Sequence, residues 1–172
     1  MKKIFITGIS GTGKTTIAKE LEKKGVYTID VDEVEGLCTW IDKNRGQKAS
    51  DDAILNDEFV SNHEWVCSVP QLIELMNKGD DVVVILGSPS NQKDFLHLFD
   101  KVLLLQCPPE VFIERIEMRT NNEFGKDKTA QKLILGWYED FEKEMLDIGA
   151  IPIDATQPTD DVVEQVLKKI QL

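Results

Sequence analysis

The stretch GISGTGKT at residues 8–15 decides the fold of this chain. It fits the pattern G-x-x-x-x-G-K-[ST], which describes a phosphate-binding loop when a strand precedes it and a helix follows it. The apolar run 3–7 predicts the strand. Ile17 and Leu21 recur at helical spacing within residues 15–24 and predict the helix. Motif and context together predict that this loop binds a nucleoside triphosphate.

The loop offers several kinds of group to a triphosphate. Its glycines permit positive φ angles and a close backbone approach, so N–H groups can surround phosphate oxygens at the positive end of the helix. We expect Lys14 to reach the β- and γ-phosphates, the Thr15 hydroxyl to ligate Mg²⁺ and Thr16 to contact the α-phosphate. A glycine-rich turn that matches by chance is the alternative. The predicted nucleotide-binding residues of the loop are Gly8, Gly11, Thr12, Gly13, Lys14, Thr15 and Thr16.

Short apolar runs alternate with amphipathic stretches along the chain, which is typical of a parallel sheet covered by helices on both faces. This predicts an α/β fold with three layers in a single domain over residues 1–172, with ligands at the carboxyl ends of the strands. The predicted strands are 3–7, 27–31, 82–86, 102–106 and 151–154, and the predicted helices are 15–24, 70–77, 109–119, 130–148 and 160–170.

Residues 33–69 do not follow this alternation. The segment is long and polar, and its pattern shows no strong strand. Since it is too long for a simple connection between two strands, it predicts a small helical lobe over the site, where an acceptor would bind.

Composition and charge limit the classes of partner that the sequence predicts. Acidic residues outnumber basic ones 31 to 20, and the net charge of −11 argues against nucleic acid as a partner. The three cysteines lack disulfide or zinc-site spacing, which favours a reducing, cytoplasmic setting. The apolar runs are of strand length, so no membrane partner is expected.

Three further stretches carry a family resemblance: TIDVDE at 28–33, PPEVFIERIEMRTNNEFGKDK at 108–128 and IPIDATQPTDDVVEQVL at 151–167. With the loop, they resemble the small P-loop kinases of the nucleoside monophosphate kinase and shikimate kinase type. The resemblance implies a P-loop NTPase fold and transfer of the γ-phosphoryl group of ATP. The implied acceptor is a nucleoside, a nucleoside monophosphate or a polyol similar to shikimate or gluconate.

The Asp-x-Asp pair at the end of the second predicted strand lies beside the phosphate loop in this topology. Alternate residues of a strand share one face, so both carboxylates can point at the same magnesium-phosphate cluster. By resemblance, Asp30 contacts the metal through water, whereas Asp32 holds the acceptor or accepts its proton. A helix cap at Asp32 is the alternative.

Acceptor residues are expected in the lobe and after the third predicted strand, which ends in a glycine as in shikimate and gluconate kinase-like enzymes. Trp40 and Trp65 offer rings for stacking on a base or a flat substrate ring, although a role in the lobe core is the alternative for both. Because the lobe has only one arginine, a neutral hydroxyl acceptor such as a nucleoside or a small polyol stays open beside a phosphate. The predicted acceptor-site residues are Asp32, Trp40, Arg45, Gly87, Ser88 and Asn91.

Arg115 and Arg119 lie four apart and share one face of a predicted helix. The resembling kinases place arginines here, at the base of a lid that closes over ATP, which predicts a lid over residues 119–130. Pairing of the two arginines with nearby glutamates is the alternative. Ala155 and Gln157 follow the last predicted strand, where the resembling kinases pass the adenine. A plain turn explains them equally well.

The sequence therefore predicts an ATP- and Mg²⁺-dependent kinase in which Lys14, Asp32, Arg115 and Arg119 are catalytic. The rival prediction is a P-loop ATPase or nucleotide-binding switch that uses water as the acceptor. That rival expects an acid after the third predicted strand, where this chain has Gly87. Whether the chain is a monomer or a homodimer stays open.

Overall fold

The computed structural model describes residues 1–50, 57–120 and 124–171. Its strands are β1 Lys2–Thr7, β2 Tyr27–Asp30, β3 Cys38–Asp42, β4 His63–Cys67, β5 Val82–Leu86, β6 Lys101–Gln106 and β7 Ile151–Asp154. Its helices are α1 Lys14–Lys23, α2 Asp57–Asn62, α3 Val69–Met76, α4 Pro109–Met118, α5 Lys128–Asp147 and α6 Thr159–Gln171, with two 3₁₀ turns at Gln92–Asp94 and Leu96–Leu98.

Five strands form one parallel sheet in the order β2-β5-β1-β6-β7. β1 lies at the centre because it is apolar on both faces, with Ile4, Phe5 and Ile6 fully buried. The predicted five-stranded α/β sheet flanked by helices is confirmed. The loop after β1 and the ends of β2 and β5 consequently meet at one edge of the sheet.

Side chains alternate along the strands and build two cores. On one face, Ile4 and Ile6 of β1 pack with Ile17 and Leu21 of α1 and with apolar residues of α4 and α6. On the other face, Phe5 packs with residues of α3 and of the 3₁₀ turns. Since the sheet is covered on both sides, its polar groups meet solvent mainly at the strand ends.

The lobe contains helix α2 and also a β-hairpin, which the sequence pattern did not predict. β3 pairs with β4 in antiparallel fashion, and α2 supplies the short helix that directly precedes β4. Both strands are only five residues long and are set among polar turn residues, which concealed their alternation. Their Thr, Trp, Ile and Val residues favour the extended conformation, and pairing lets their apolar faces pack together.

The hairpin is attached to the main sheet at its Cys38–Cys67 end. The Ser68 N–H donates to Leu37 O at 2.8 Å and closes this end of the hairpin, and the Ser90 N–H, from the loop after β5, donates to Trp65 O at 2.7 Å. The Asn91 side chain binds both backbone groups of Cys67, accepting from its N–H at 2.9 Å and donating to its carbonyl at 3.0 Å. The loop after β5 therefore fixes the position of β4.

The predicted lid lies between α4, which ends at Met118, and α5, which begins at Lys128. Asp127 caps α5 through hydrogen bonds from the N–H groups of Thr129 and Ala130, both at 2.9 Å. The middle of the predicted lid, residues 121–123, lies outside the described residues. In the part of the chain that is described, no helix is both long and apolar enough to cross a bilayer.

Candidate active site

The phosphate loop has the backbone that its glycines predict. Gly11 and Gly13 have φ angles of 87° and 99°, and α1 begins directly after Gly13. A Cβ at Gly11 would lie 2.5 Å from the Phe112 carbonyl oxygen, so α4 leaves no room for a side chain there. Positive φ angles at these glycines, directly before a helix N-terminus, are the backbone conformation that an anion-binding loop requires.

Lys14 is buried, and its ammonium donates to the carbonyl oxygens of Gly8 at 2.6 Å and Ile9 at 3.1 Å. Burial lowers the pKa of Lys14, while the nearby carboxylates of Asp32 and Asp30 oppose this shift. A cation held by two carbonyls and little water interacts strongly with an arriving phosphate, because the local dielectric is low.

Asp30 is buried at the end of β2, and its Oδ2 accepts a hydrogen bond from the Thr15 hydroxyl at 2.7 Å. Burial raises the pKa of Asp30, and the bond from Thr15 opposes the shift. Hydroxyl and carboxylate oxygens side by side suit Mg²⁺, which takes few protein ligands and fills its other positions with phosphate and water. Within the described ranges, no three His, Cys, Asp or Glu side chains cluster as a metal cage, which is compatible with that mode of binding.

Asp32 makes a different contact from Asp30, although the two lie only two residues apart. Its Oδ1 accepts a hydrogen bond from the indole N–H of Trp65 at 2.7 Å. Asp32 is exposed and lines the cleft, whereas Asp30 is buried beneath it. The two carboxylates are therefore divided between the phosphate loop and the hairpin.

One cleft of about 980 Å³ joins the phosphate loop, the hairpin and the helices around the predicted lid. Its size suits a nucleotide together with a small second molecule. The predicted site residues that line it are Gly11, Thr12, Gly13, Lys14, Thr15, Thr16, Asp32, Trp40, Ser88, Arg115, Arg119, Ala155 and Gln157.

Five predicted site residues lie away from the cleft lining: Gly8, Asp30, Arg45, Gly87 and Asn91. Gly8 and Asp30 lie beneath the loop and contact Lys14 and Thr15. The other three lie elsewhere, and their contacts to an acceptor stay predictions. Arg45 is exposed in the hairpin turn, the Asn91 amide is bound to Cys67, and Gly87 makes room for Val31, whose Cγ2 would lie 2.2 Å from an added Cβ.

Arg115 of α4 and Arg119, the residue directly after α4, both line the cleft. Arg115 Nη2 donates to Ala155 O at 2.9 Å, which connects α4 to the loop after β7. Arg119 donates to Ser10 Oγ at 3.3 Å and also to the Phe124 carbonyl. Arg119 therefore joins the phosphate loop to the end of the predicted lid, and ligand-induced movement of either partner would move its guanidinium.

Sequence reasoning missed two features of the cleft. Trp65 was considered with Trp40 as a stacking ring or as part of the lobe core, but its position opposite Trp40 across the hairpin and its hydrogen bond to Asp32 were not predicted. Trp137 and Phe141 of α5 also line the cleft. The Trp-x-Cys spacing around Trp65 mirrors the Cys-x-Trp spacing around Trp40, and this signal could have revealed the hairpin.

A parallel sheet between two layers of helices, with a phosphate loop at the carboxyl end of β1, defines a P-loop nucleotide-binding fold. A family model described as an AAA domain matches residues 4–147. The chain belongs to that family.

Proteins similar in sequence or structure indicate which P-loop proteins the chain resembles. A shikimate kinase of Bacillus cytotoxicus is 25% identical over 99% of both chains. A putative adenylate kinase of Methanosarcina acetivorans is 32% identical over 74% of this chain and 64% of that protein. The solved structure of the Acinetobacter baumannii shikimate kinase in complex with shikimate covers 99% of this chain and 93% of its own, with 18% identity and a TM-score of 0.64, which shows the common fold. The predicted resemblance to small P-loop kinases that use ATP is confirmed.

Proposed function

We propose that this chain transfers the γ-phosphoryl group of ATP to a hydroxyl of a small molecule that binds between Asp32 and the hairpin. The observation that carries the proposal is the division of the Asp-x-Asp pair. Asp30 binds Thr15 beside the phosphate loop, and Asp32 faces the cleft while it is bound by Trp65 of the hairpin. A site that joins a phosphoryl donor to a separate acceptor needs this arrangement, whereas a simple nucleotide-binding module does not.

The residues divide the work of phosphoryl transfer, which is mainly positioning and charge stabilisation. The loop N–H groups and Lys14 bind the phosphates, and Arg115 and Arg119 offset the charge that develops on the transferred group. Asp32 orients the acceptor hydroxyl and accepts its proton as the new P–O bond forms. Mg²⁺, held by Thr15 and through water by Asp30, would supply further positive charge at the phosphate oxygens.

The surroundings of the site support two further proposals. The three cysteines are buried and form no disulfide in the described structure, which suits the reducing cytoplasm. Residues 33–69 would act as the acceptor lobe and residues 119–130 as the lid of one domain. Arg119 supports the second assignment, since its contacts to Ser10 and Phe124 let the lid sense the state of the phosphate loop.

ADP release tests this function. With ATP, Mg²⁺ and a panel of nucleosides, nucleoside monophosphates, shikimate and gluconate, at least one acceptor is expected to accelerate ADP release far above the rate without acceptor. Asp32→Asn is expected to lower kcat by about 10²-fold or more, with little change in ATP affinity. The matched control is Asp81→Asn, which makes the same change at an exposed residue at the opposite edge of the sheet.

The outcomes separate the proposed kinase from its rival. Acceptor-dependent ADP release that Asp32→Asn abolishes supports the kinase. Slow ADP release that no acceptor accelerates would show instead that water is the acceptor. Equal kcat in Asp32→Asn and the wild type would remove the proton-accepting role from Asp32.

A further inference from the structure

We define the acceptor half of the cleft by five of its lining residues: Asp32, Trp40, Lys43, Glu64 and Trp65. This half contains two carboxylates and one ammonium group. Among the described residues, the cations that line the whole cleft are Lys14, Lys43, Arg115 and Arg119. Three of these belong to the phosphate loop, to α4 and to the residue directly after α4. Only Lys43 lies in the acceptor half, and its ammonium donates to Ser61 O at 2.8 Å.

The residues that the structure does not describe add no positively charged side chain to the cleft. Residues 51–56 read DDAILN and residues 121–123 read NNE, so neither segment contains lysine or arginine. The first of these segments adds two aspartates to the lobe. Arg45, the one arginine of the lobe, is exposed in the hairpin turn and does not line the cleft.

Carboxylates line this half of the cleft instead. Asp32 faces the cleft, and Glu64 of β4 is exposed at its border. Glu33 also lines the cleft, where it pairs with Lys19 at 3.0 Å. A phosphate or carboxylate on the acceptor would meet these like charges without a guanidinium to offset them, and this juxtaposition is strongly unfavourable.

Aromatic rings provide the remaining contact surface. Trp40 and Trp65 lie opposite each other across the hairpin, with ring centroids 5.3 Å apart, and Phe59 packs edge-on to Trp40 at 5.5 Å. Both tryptophans are only partly buried and line the cleft. Indole rings held in place by such packing favour a flat apolar ligand surface, against which they stack with little loss of entropy.

We propose that the acceptor is an uncharged alcohol that carries a flat ring, the chemistry of a nucleoside. This inference rests on the proposed kinase function and narrows its acceptor. The ring stacks on the Trp40–Trp65 surface, and the hydroxyl lies at Asp32, whose Oδ1 is already occupied by the Trp65 N–H. Anionic acceptors are disfavoured by the carboxylates of the same half.

Matched acceptors test the charge. A nucleoside and its 3′-monophosphate keep the same free 5′-hydroxyl and differ in the charge of the phosphate, so we expect kcat/KM for the nucleoside to exceed that for the 3′-monophosphate by about tenfold or more. Glu64→Lys places a cation beside the acceptor and is expected to reduce this ratio. Glu74→Lys makes the same charge change on exposed α3, outside the cleft, and is expected to leave the ratio unaltered.

Binding without ATP tests the ring independently of turnover. All three tryptophans of the chain line the cleft, so their fluorescence reports on ligand binding there. Nucleosides are expected to change this fluorescence saturably, and Trp40→Ala is expected to weaken their binding by about tenfold, the scale of one lost stacking contact. A ringless neutral alcohol such as glycerol is the ligand control.

The two proposals fail in different ways. If a monophosphate, shikimate or a ringless polyol is the preferred acceptor, the kinase function stands and the ring-bearing neutral acceptor is wrong. If nucleosides bind by fluorescence but no acceptor accelerates ADP release, the acceptor chemistry stands and the kinase function is wrong. Absence of both nucleoside binding and nucleoside turnover overturns the acceptor proposal.

Discussion

The hydrogen bond between Trp65 and Asp32 yields the sharpest prediction. Trp65→Phe removes the indole N–H that donates to Asp32 Oδ1 at 2.7 Å and keeps an aromatic ring on the hairpin. Because Asp32 is exposed, water replaces the lost donor, and the net cost is about 1 kcal/mol. If this bond orients the carboxylate that accepts the proton, kcat falls by about fivefold.

The assay is ADP release at saturating ATP and acceptor, with kcat and the acceptor KM fitted separately. Trp40→Phe is the matched control, since it makes the same change in the partner ring, which has no hydrogen bond to Asp32 in the structure. We expect this control to act mainly on the acceptor KM. The same fivefold loss of kcat in both variants would indicate that ring packing, not the hydrogen bond, is what matters.

A double-mutant cycle completes the test. In an Asp32→Ala background no carboxylate remains to be oriented, so Trp65→Phe should have no further effect on the residual kcat. A fivefold loss that persists in that background would refute the reasoning.

Three other predictions follow from the described contacts. In the wild type, Mg²⁺ and ATP at 100 times Kd should stabilise the fold by about 2.7 kcal/mol and raise Tm by about 5–10 °C. Lys14→Ala should lose this rise, and a Tm shift that survives would contradict the assigned role of the loop. Glu142 is partly buried, and burial raises its pKa above the unfolded value, so its ionisation destabilises the fold as pH rises through the folded pKa. Glu142→Gln should raise Tm by about 2 °C at pH 7 and by nothing below the unfolded pKa, whereas Glu139→Gln, exposed on the same helix, should leave Tm unaltered; a pH-independent gain would exclude the ionisation argument. Cys38 and Cys67 form a non-hydrogen-bonded cross-strand pair, a spacing of about 4.5 Å between Cα atoms that a disulfide accepts, so the oxidant diamide should join them within one chain. Mass spectrometry after alkylation checks this, and a fully alkylated pair would count against the register.

Local pattern was sufficient to predict the sheet and the phosphate loop. The strands at β1, β5 and β6 are continuous apolar runs buried on both faces, and a pattern of this kind does not depend on a distant partner. The phosphate loop is equally local, because its glycines and Lys14 act within one strand-loop-helix unit. The sequence placed both correctly for this reason.

The hairpin and its contacts depend on partners far apart in sequence. β3 and β4 are separated by twenty residues, and neither five-residue strand has a decisive period by itself. The contact between Asp32 and Trp65 requires that pairing first. Asn91 shows the same dependence, because its amide hydrogen-bonds both backbone groups of Cys67, a contact that the sequence pattern alone does not predict.

The ties between the hairpin and the loop after β5 join their movements. The Ser90 N–H is bound to Trp65 O and the Asn91 side chain to the backbone of Cys67, while α2 beyond the other end of the hairpin packs near α5. Trp65 is the middle residue of β4, so only about two residues, or about 7 Å, extend beyond this tie, and a rotation of about 10° moves the outer end by only about 1 Å. A shift of the loop after β5 therefore carries the Trp65 indole with it, and the hydrogen bond from that indole passes the shift to Asp32.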